Sequence, residues 1–429
     1  MEAFFIQPAR RLEGVIPVRG AKNSILKAMA ASLLFRTPFL IDNVPHIVDY
    51  QQMENLLVSA GVLVERVGER QVRLTPPRHP ESTLDPEVAQ SFRSSVVLIG
   101  PLLARTGKAV FPYPGGCVIG KRPIDLFLEG LARMGALVRE ENGIFTLSAK
   151  RLVGADIFFR KVSVTATETL MMAAVLARGK TVLSNAAREP EIPALAEFLN
   201  LCGARISGAG TSTITIRGGA KLDGARRVFR IIPDRVEAGS FAILAALRGG
   251  RLRVANCIPE HLAGLLAALR EAGVFIECGK DWVEITAPKQ LFPVNVQTRE
   301  YPGFVTDFQS PFMVLLTQAV GMSTVFETIY EGRLEYTRDL NRMGAEIILC
   351  DPHRAIVVGP TPLFGRVVES PDLRAGLAFI LAALVAKGPS TVQHKPRKIR
   401  CILLVFFDRV SLEVLQSRDE SIFEMGSNT

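Results

Sequence analysis

Six stretches of this chain are apolar nearly all the way round a helical wheel: KNSILKAMAASLLF, FRSSVVLIGPLLAR, TATETLMMAAVLARG, VEAGSFAILAALRGG, TDFQSPFMVLLTQAVG and PDLRAGLAFILAALVAKG. A helix without a polar face has to be covered on every side, so each is predicted to be a buried helix. Between them a second pattern recurs. Leu-x-x-x-Gly, an apolar residue and a short β-like run occur at Leu57–Gly61, Leu131–Gly135, Leu199–Gly203, Leu269–Gly273 and Leu340–Gly344. There the glycine is predicted to end a helix, because it tolerates the left-handed conformation that turns the chain into a strand.

The repeating unit is therefore a buried helix, a strand, an exposed helix ending in L-x-x-x-G, and further strands. At roughly seventy residues it exceeds the 20–50 residues of a solenoid repeat. Two domains of three units each suit a chain of 429 residues, which is too long for one ordinary core.

Composition narrows the class. Hydrophobic residues make up 48% and charged residues 22%, as in a globular protein. The longest apolar helical run, near Leu377–Ala386, is about half the ~20 residues of a membrane span, so no membrane association is expected. Pro8, Arg10 and Arg11 interrupt any signal-peptide core. The six cysteines are scattered without a C-x-x-C pair, which favours reduced thiols and a cytoplasmic location. His46, His79, His261, His353 and His394 lack ligand spacing, so no metal site is expected. The net charge of +9 is spread along the chain without aromatic interleaving. It suits a basic cleft for a small polyanion better than a nucleic-acid surface.

Polar residues open the buried helices: Lys22-Asn23, Arg93-Ser94, Thr165, Glu237, Asp307 and Asp372 with Arg374. Helix capping explains the acids and hydroxyls. Lys22 and Arg93 oppose the helix dipole, and make sense where an anion completes the site.

The stretch PYPGGCVIGKRPIDLF, residues 112–127, contains G-G-C-V-I-G-K-R, one residue short of a nucleotide-binding P-loop. Arg122-Pro123 replaces the metal-binding hydroxyl, and no apolar strand ending in Asp is evident as a second metal ligand. A glycine turn leading into a helix near Pro123 explains the glycines and the proline. It leaves unexplained why Cys117 sits beside Lys121 and Arg122, where cations lower a thiol's pKa.

Here the sequence resembles a known family. PGGCVIGKRPIDLFLEGLARMGA, with RGAKNSILKAMAASLL, KVSVTATETLMMAA, NAAREPEI, PDRVEAGSF, YPGFVTDFQSPF and PDLRA, resembles the UDP-N-acetylglucosamine 1-carboxyvinyltransferases over residues 1–392. Those enolpyruvyl transferases begin peptidoglycan precursor synthesis. The resemblance implies two inside-out α/β domains, each of three βαβαββ repeats. The first is expected at 21–231, the second from 1–20 and 232–429.

It also implies transfer of the enolpyruvyl group of phosphoenolpyruvate to the 3′-hydroxyl of UDP-N-acetylglucosamine, releasing phosphate, with no cofactor. Cys117 matches the proton donor and the target of fosfomycin alkylation, and Asp307 the carboxylate near the sugar hydroxyl. Lys22 and Arg122 match the cations on phosphoenolpyruvate. Asn23 matches a hydrogen-bonding partner of the sugar, and Arg93, Ser163, Val164 and Thr165 match positions around the nucleotide. Arg333 matches an arginine near the cleft, although EGRL replaces E-N-R-F. Phe127 stands where a histidine often flanks the uracil. Asp372 and Arg374 match a hinge-side pair that helps close the cleft. A surface ion pair is the alternative reading of each charged residue.

The sixth repeat is aberrant. After STVQH the chain reads KPRKIRCILLVFFDRVSLEVLQSRDESIFEMGSNT, so a divergent tail begins at about 393. Counting from Arg374 puts Arg400 where the family's last phosphate-binding arginine is expected. A missing final helix and strand would open the second core. Two further readings therefore stay open: an inactive or merely ligand-binding relative, and the shikimate-pathway enolpyruvyl transferase, which lacks the P-G-G-C loop.

Overall fold

The computed structural model describes residues 2–8, 12–115, 124–394 and 423–424. Cys117, Arg122 and Arg400 lie outside the described residues. The chain forms two compact units, one taking in the described residues of 20–232, the other those of 1–19 and 233–429.

All six apolar stretches are buried. In the 20–232 unit, helix Lys22–Ala31 is buried from Ser24 onward, helix Ile99–Thr106 from Ile99 to Leu103, and helix Val164–Leu176 from Ala166 to Val175. In the other unit, helix Arg235–Arg248 is buried from Ala238 to Ala246, and helix Gln309–Leu316 throughout. Every residue from Ala378 to Leu384 in helix Leu373–Val385 has no exposed surface. The exposed helices end as glycine dictates: Gly61, Gly135, Gly203, Gly273 and Gly344 all have φ between 88° and 108°.

Among the described residues the strands form six small sheets. Four share one plan: a strand pairs in parallel with a second, which pairs antiparallel with the inner strand of a hairpin. Asp156–Phe158, Lys180–Ser184, Thr213–Arg217 and Ile206–Ser207 follow it in the 20–232 unit. Val296–Gln297, Gly321–Phe326, Arg354–Gly359 and Glu346–Asp351 follow it in the other. A parallel pair needs a crossover, and in both of these sheets the buried helix supplies it.

The sheet of the last unit draws on both ends of the chain. Ser390–His394 pairs in parallel with Val367–Ser370, and the hairpin position is filled from the far end of the chain by Glu2–Ile6. Phe4 faces Val392 in register, and Phe4, Ile6 and Val392 are all buried. The core expected to be open therefore has a strand over it. No local sequence pattern shows this, since the paired segments are almost the whole chain apart. Among the described residues no helix is long and apolar enough to cross a membrane.

Candidate functional site

In the 20–232 unit the expected binding residues sit at the mouths of buried helices. Lys22 and Asn23 open Lys22–Ala31, Arg93 opens the 3-10 turn Arg93–Leu98, and Val164 and Thr165 open Val164–Leu176. Ser163 is the cap of the last: its hydroxyl accepts from the Ala166 N–H at 3.2 Å. The Arg93–Leu98 turn packs against both other helices. Lys22 needs no external anion to be placed, because Asp49 Oδ2 lies 3.1 Å from its Nζ. Both side chains keep about a fifth of their surface exposed, so Lys22 remains within reach of a ligand. Phe127 is buried in helix Asp125–Arg133.

One turn deeper, Lys27 Nζ lies 3.3 Å from Glu168 Oε2, both side chains with almost no exposure. Sequence reasoning passed over both, as the partners lie on separate helices with no local motif. The contact links helix Lys22–Ala31 to helix Val164–Leu176. Their first turns lie five residues back, about 7.5 Å along each axis.

In the 233–429 unit the charges converge on Asp307. It lies in the 3-10 turn Thr306–Phe308, just before the buried helix Gln309–Leu316. Arg374 Nε donates to Asp307 Oδ1 at 2.8 Å, and Arg333 Nη2 lies 3.7 Å from the same oxygen. Arg333 also donates to the Thr306 carbonyl at 3.3 Å. Only 4% of the Arg333 side chain and 13% of Arg374 are exposed, which rules out a surface ion pair for either.

Burial alone would raise the pKa of Asp307. Arg374, Arg333 and then Arg235 overcome it and hold the carboxyl well below the usual carboxylate range. Arg235, itself buried, stacks over Tyr301 with its guanidinium carbon 5.5 Å from the ring centroid. PDRVEAGSF contains this arginine, but nothing in the motif says that it faces a residue 72 positions on.

One capping expectation holds and one changes. Asp372 does not pair with the side chain of Arg374; it accepts the backbone N–H of Arg374 at 2.8 Å and of Ala375 at 3.4 Å, capping the helix. That cap frees the Arg374 guanidinium to turn to Asp307. Helix Arg235–Arg248 is capped by Asp234, whose carboxylate accepts from Val236 and Glu237, whereas Glu237 accepts from the Arg19 N–H. Aspartate reaches N2 and N3 donors that a residue inside the first turn faces away from.

The EPSP synthase (3-phosphoshikimate 1-carboxyvinyltransferase) family profile matches residues 6–401. A UDP-N-acetylglucosamine 1-carboxyvinyltransferase from Koribacter versatilis is 46% identical over 92% of this chain and 91% of its own. Another, from Acidobacterium capsulatum, is 47% identical over the same shares. Among solved structures, the enolpyruvyl transferase NikO from Streptomyces tendae matches with a TM-score of 0.84 at 24% identity, covering 96% of this chain and 97% of its own. EPSP synthase from Acinetobacter baumannii matches at 0.74 and 18% identity over all of both chains. The architecture is thus the enolpyruvyl transferase fold. With nearly half its residues identical across nine-tenths of curated relatives, the chain belongs to the UDP-N-acetylglucosamine 1-carboxyvinyltransferase family.

Proposed function

We propose that this protein transfers the enolpyruvyl group of phosphoenolpyruvate to the 3′-hydroxyl of UDP-N-acetylglucosamine, with release of phosphate, and so initiates peptidoglycan precursor synthesis. The observation that carries the reading is the Asp307 cluster: one carboxylate held ionised by arginines from two other segments and a third on helix Arg235–Arg248.

The chemistry has three demands. A proton must reach the methylene carbon of the enol, the sugar hydroxyl must be aligned and deprotonated, and cations must bind phosphate and carboxylate. Cys117 is assigned the proton delivery, as a thiol with Lys121 and Arg122 close by in sequence. Lys22 and Arg122 are assigned the phosphoenolpyruvate anion, with Arg400 the remaining candidate from the tail. Asn23, Arg93, Ser163, Val164 and Thr165 are assigned the sugar nucleotide.

Asp307 is assigned the acceptor hydroxyl. With two arginines beside it, it stays ionised near neutral pH but is a weak base. An anionic substrate group that engages Arg374 or Arg333 withdraws positive charge from Asp307 and raises its basicity as the reactants assemble. Binding and activation are thereby coupled through the same guanidinium groups. Asp372 serves by holding the start of helix Leu373–Val385, and with it Arg374.

This activity places the enzyme in the cytoplasm with both substrates, and makes Cys117 the site of fosfomycin-type alkylation. The test is phosphate release from phosphoenolpyruvate with UDP-N-acetylglucosamine or shikimate 3-phosphate as acceptor, for the wild type and Cys117→Ala. Release with the nucleotide sugar alone, lost in Cys117→Ala and blocked by fosfomycin, is expected. Release with shikimate 3-phosphate, or none from folded wild type, would overturn the assignment.

A further inference from the structure

Asp307 and Arg333 sit on separate segments, and one buried carboxylate joins them. Glu327 has no exposed surface. Its Oε2 accepts the hydroxyl of Thr306 at 2.9 Å, the residue immediately before Asp307. Its Oε1 accepts the backbone N–H of Ile329 at 2.8 Å and of Tyr330 at 3.2 Å, which begin the segment leading into the turn Glu331–Leu334 that carries Arg333. Its backbone is fixed in turn: the Glu327 N–H donates to the His353 carbonyl at 2.7 Å, and His353 Nδ1 lies 2.8 Å from the Glu327 carbonyl. Arg333 closes the ring by donating to the Thr306 carbonyl.

We propose that Glu327 is a positioning residue for the transfer reaction, setting Asp307 through the Thr306 hydroxyl while its other oxygen holds the Arg333 segment. This rests on the assignment of Asp307 to the acceptor hydroxyl. A carboxylate is suited to the task because all its lone pairs accept, and it bridges three donors from two segments without a proton of its own to place. Deep burial makes each bond exacting, since a donor that loses its partner there has no water to turn to.

The position of Asp307 matters more than its presence. Displacing a catalytic group by about 1 Å costs on the order of a hundredfold in rate. A residue acting only on position lowers kcat and leaves the KM for phosphoenolpyruvate nearly unchanged.

The test uses the full chain with Thr306→Val, Thr306→Ser, Glu327→Gln and the Thr306→Val/Glu327→Gln double variant. Thr306→Val deletes the link but leaves Glu327 its backbone donors; Glu327→Gln keeps one acceptor oxygen for them and reverses the polarity toward Thr306. Each of these two is expected to lower kcat roughly tenfold to a hundredfold with KM little changed, and the double variant to lose less than the product of the singles. Thr306→Ser, which retains the hydroxyl, recovers most of the rate.

A second arm needs no turnover. The carboxyl carbon-13 resonance of Asp307, assigned from an Asp307→Asn spectrum, should move in Thr306→Val and Glu327→Gln and return in Thr306→Ser. An unmoved resonance, or a Thr306→Val rate within about twofold of wild type, would overturn the proposal. So would a rate that falls only in step with the folded fraction. An inactive wild type would sink the assigned reaction, while the resonance arm still decides whether Glu327 positions Asp307.

Discussion

Glu168 lies wholly inside helix Val164–Leu176, with Lys27 Nζ 3.3 Å away and Glu191 and Glu189 among its charged neighbours. Burial pushes its carboxyl up to about 8 despite the pull of Lys27, and the two other glutamates add to the rise. In the unfolded chain the same carboxyl titrates near its ordinary 4.5. Between those values the folded form keeps a proton that the unfolded form has released. The stabilising contribution is therefore complete below about 4.5 and is lost as pH rises through about 8.

The interval between 4.5 and about 8 corresponds to roughly 5 kcal/mol as an upper bound, because relaxation around a buried charge reduces it. In a unit of this size each kcal/mol moves the midpoint by about 2–4 °C, so the wild type should lose on the order of 10 °C between pH 5 and 9 through this group. Glu168→Gln, which mimics the protonated form, should flatten that loss. Thermal unfolding followed by circular dichroism at intervals across the range checks it, and other titrating groups cancel in the comparison. Parallel profiles for wild type and variant, or a wild-type midpoint that climbs towards pH 9 while the variant's does not, would refute the reasoning.

Asp307→Asn should reduce turnover by about 10²–10⁴-fold and cost about 3–5 kcal/mol, since two deeply placed arginines lose their counter-charge. Because the folded carboxyl titrates well below its ordinary range, that stability is present above the unfolded value near 3.9 and is lost as pH falls through the folded one. The stability gap between wild type and variant in urea titrations should therefore stay constant from pH 7 to 5 and close only in strong acid. Gly239→Ala places a methyl 2.3 Å from Phe308 Cε1 and 2.7 Å from Leu265 Cδ2. It should cost about 1–3 kcal/mol in urea unfolding and lower kcat as well, because Phe308 adjoins Asp307. Asp372→Ala should cost about 1 kcal/mol as a lost helix cap, and lower kcat as Arg374 loses its anchorage beside Asp307.

Residue types with one strong physical preference made much of this molecule legible in the chain. Helices such as Leu373–Val385 announce their burial by lacking a polar face, and Gly203 or Gly344 announces a helix end by being the residue that accepts a positive φ. Arg333, Arg374 and Asp307 were nameable because family motifs mark them; their convergence was not, since it depends on how three segments pack. Lys27 with Glu168, and Thr306 with Glu327, escaped for the same reason: buried polar pairs across distant segments leave no periodic trace. The strand Glu2–Ile6 is too short to reveal that it closes a sheet with Ser390–His394. Asp372 was legible as an acid at a helix start, and it caps the backbone there.

The central claim is the identity of the reaction. The most direct measurement is mass spectrometry of the nucleotide product formed when the full-length protein is incubated with phosphoenolpyruvate and UDP-N-acetylglucosamine, alongside Asp307→Ala. The account predicts a UDP-N-acetylglucosamine bearing one enolpyruvyl ether, formed with one phosphate released per molecule, and almost none from the variant. Unchanged nucleotide sugar from folded wild-type protein, or equal product from Asp307→Ala, would contradict it.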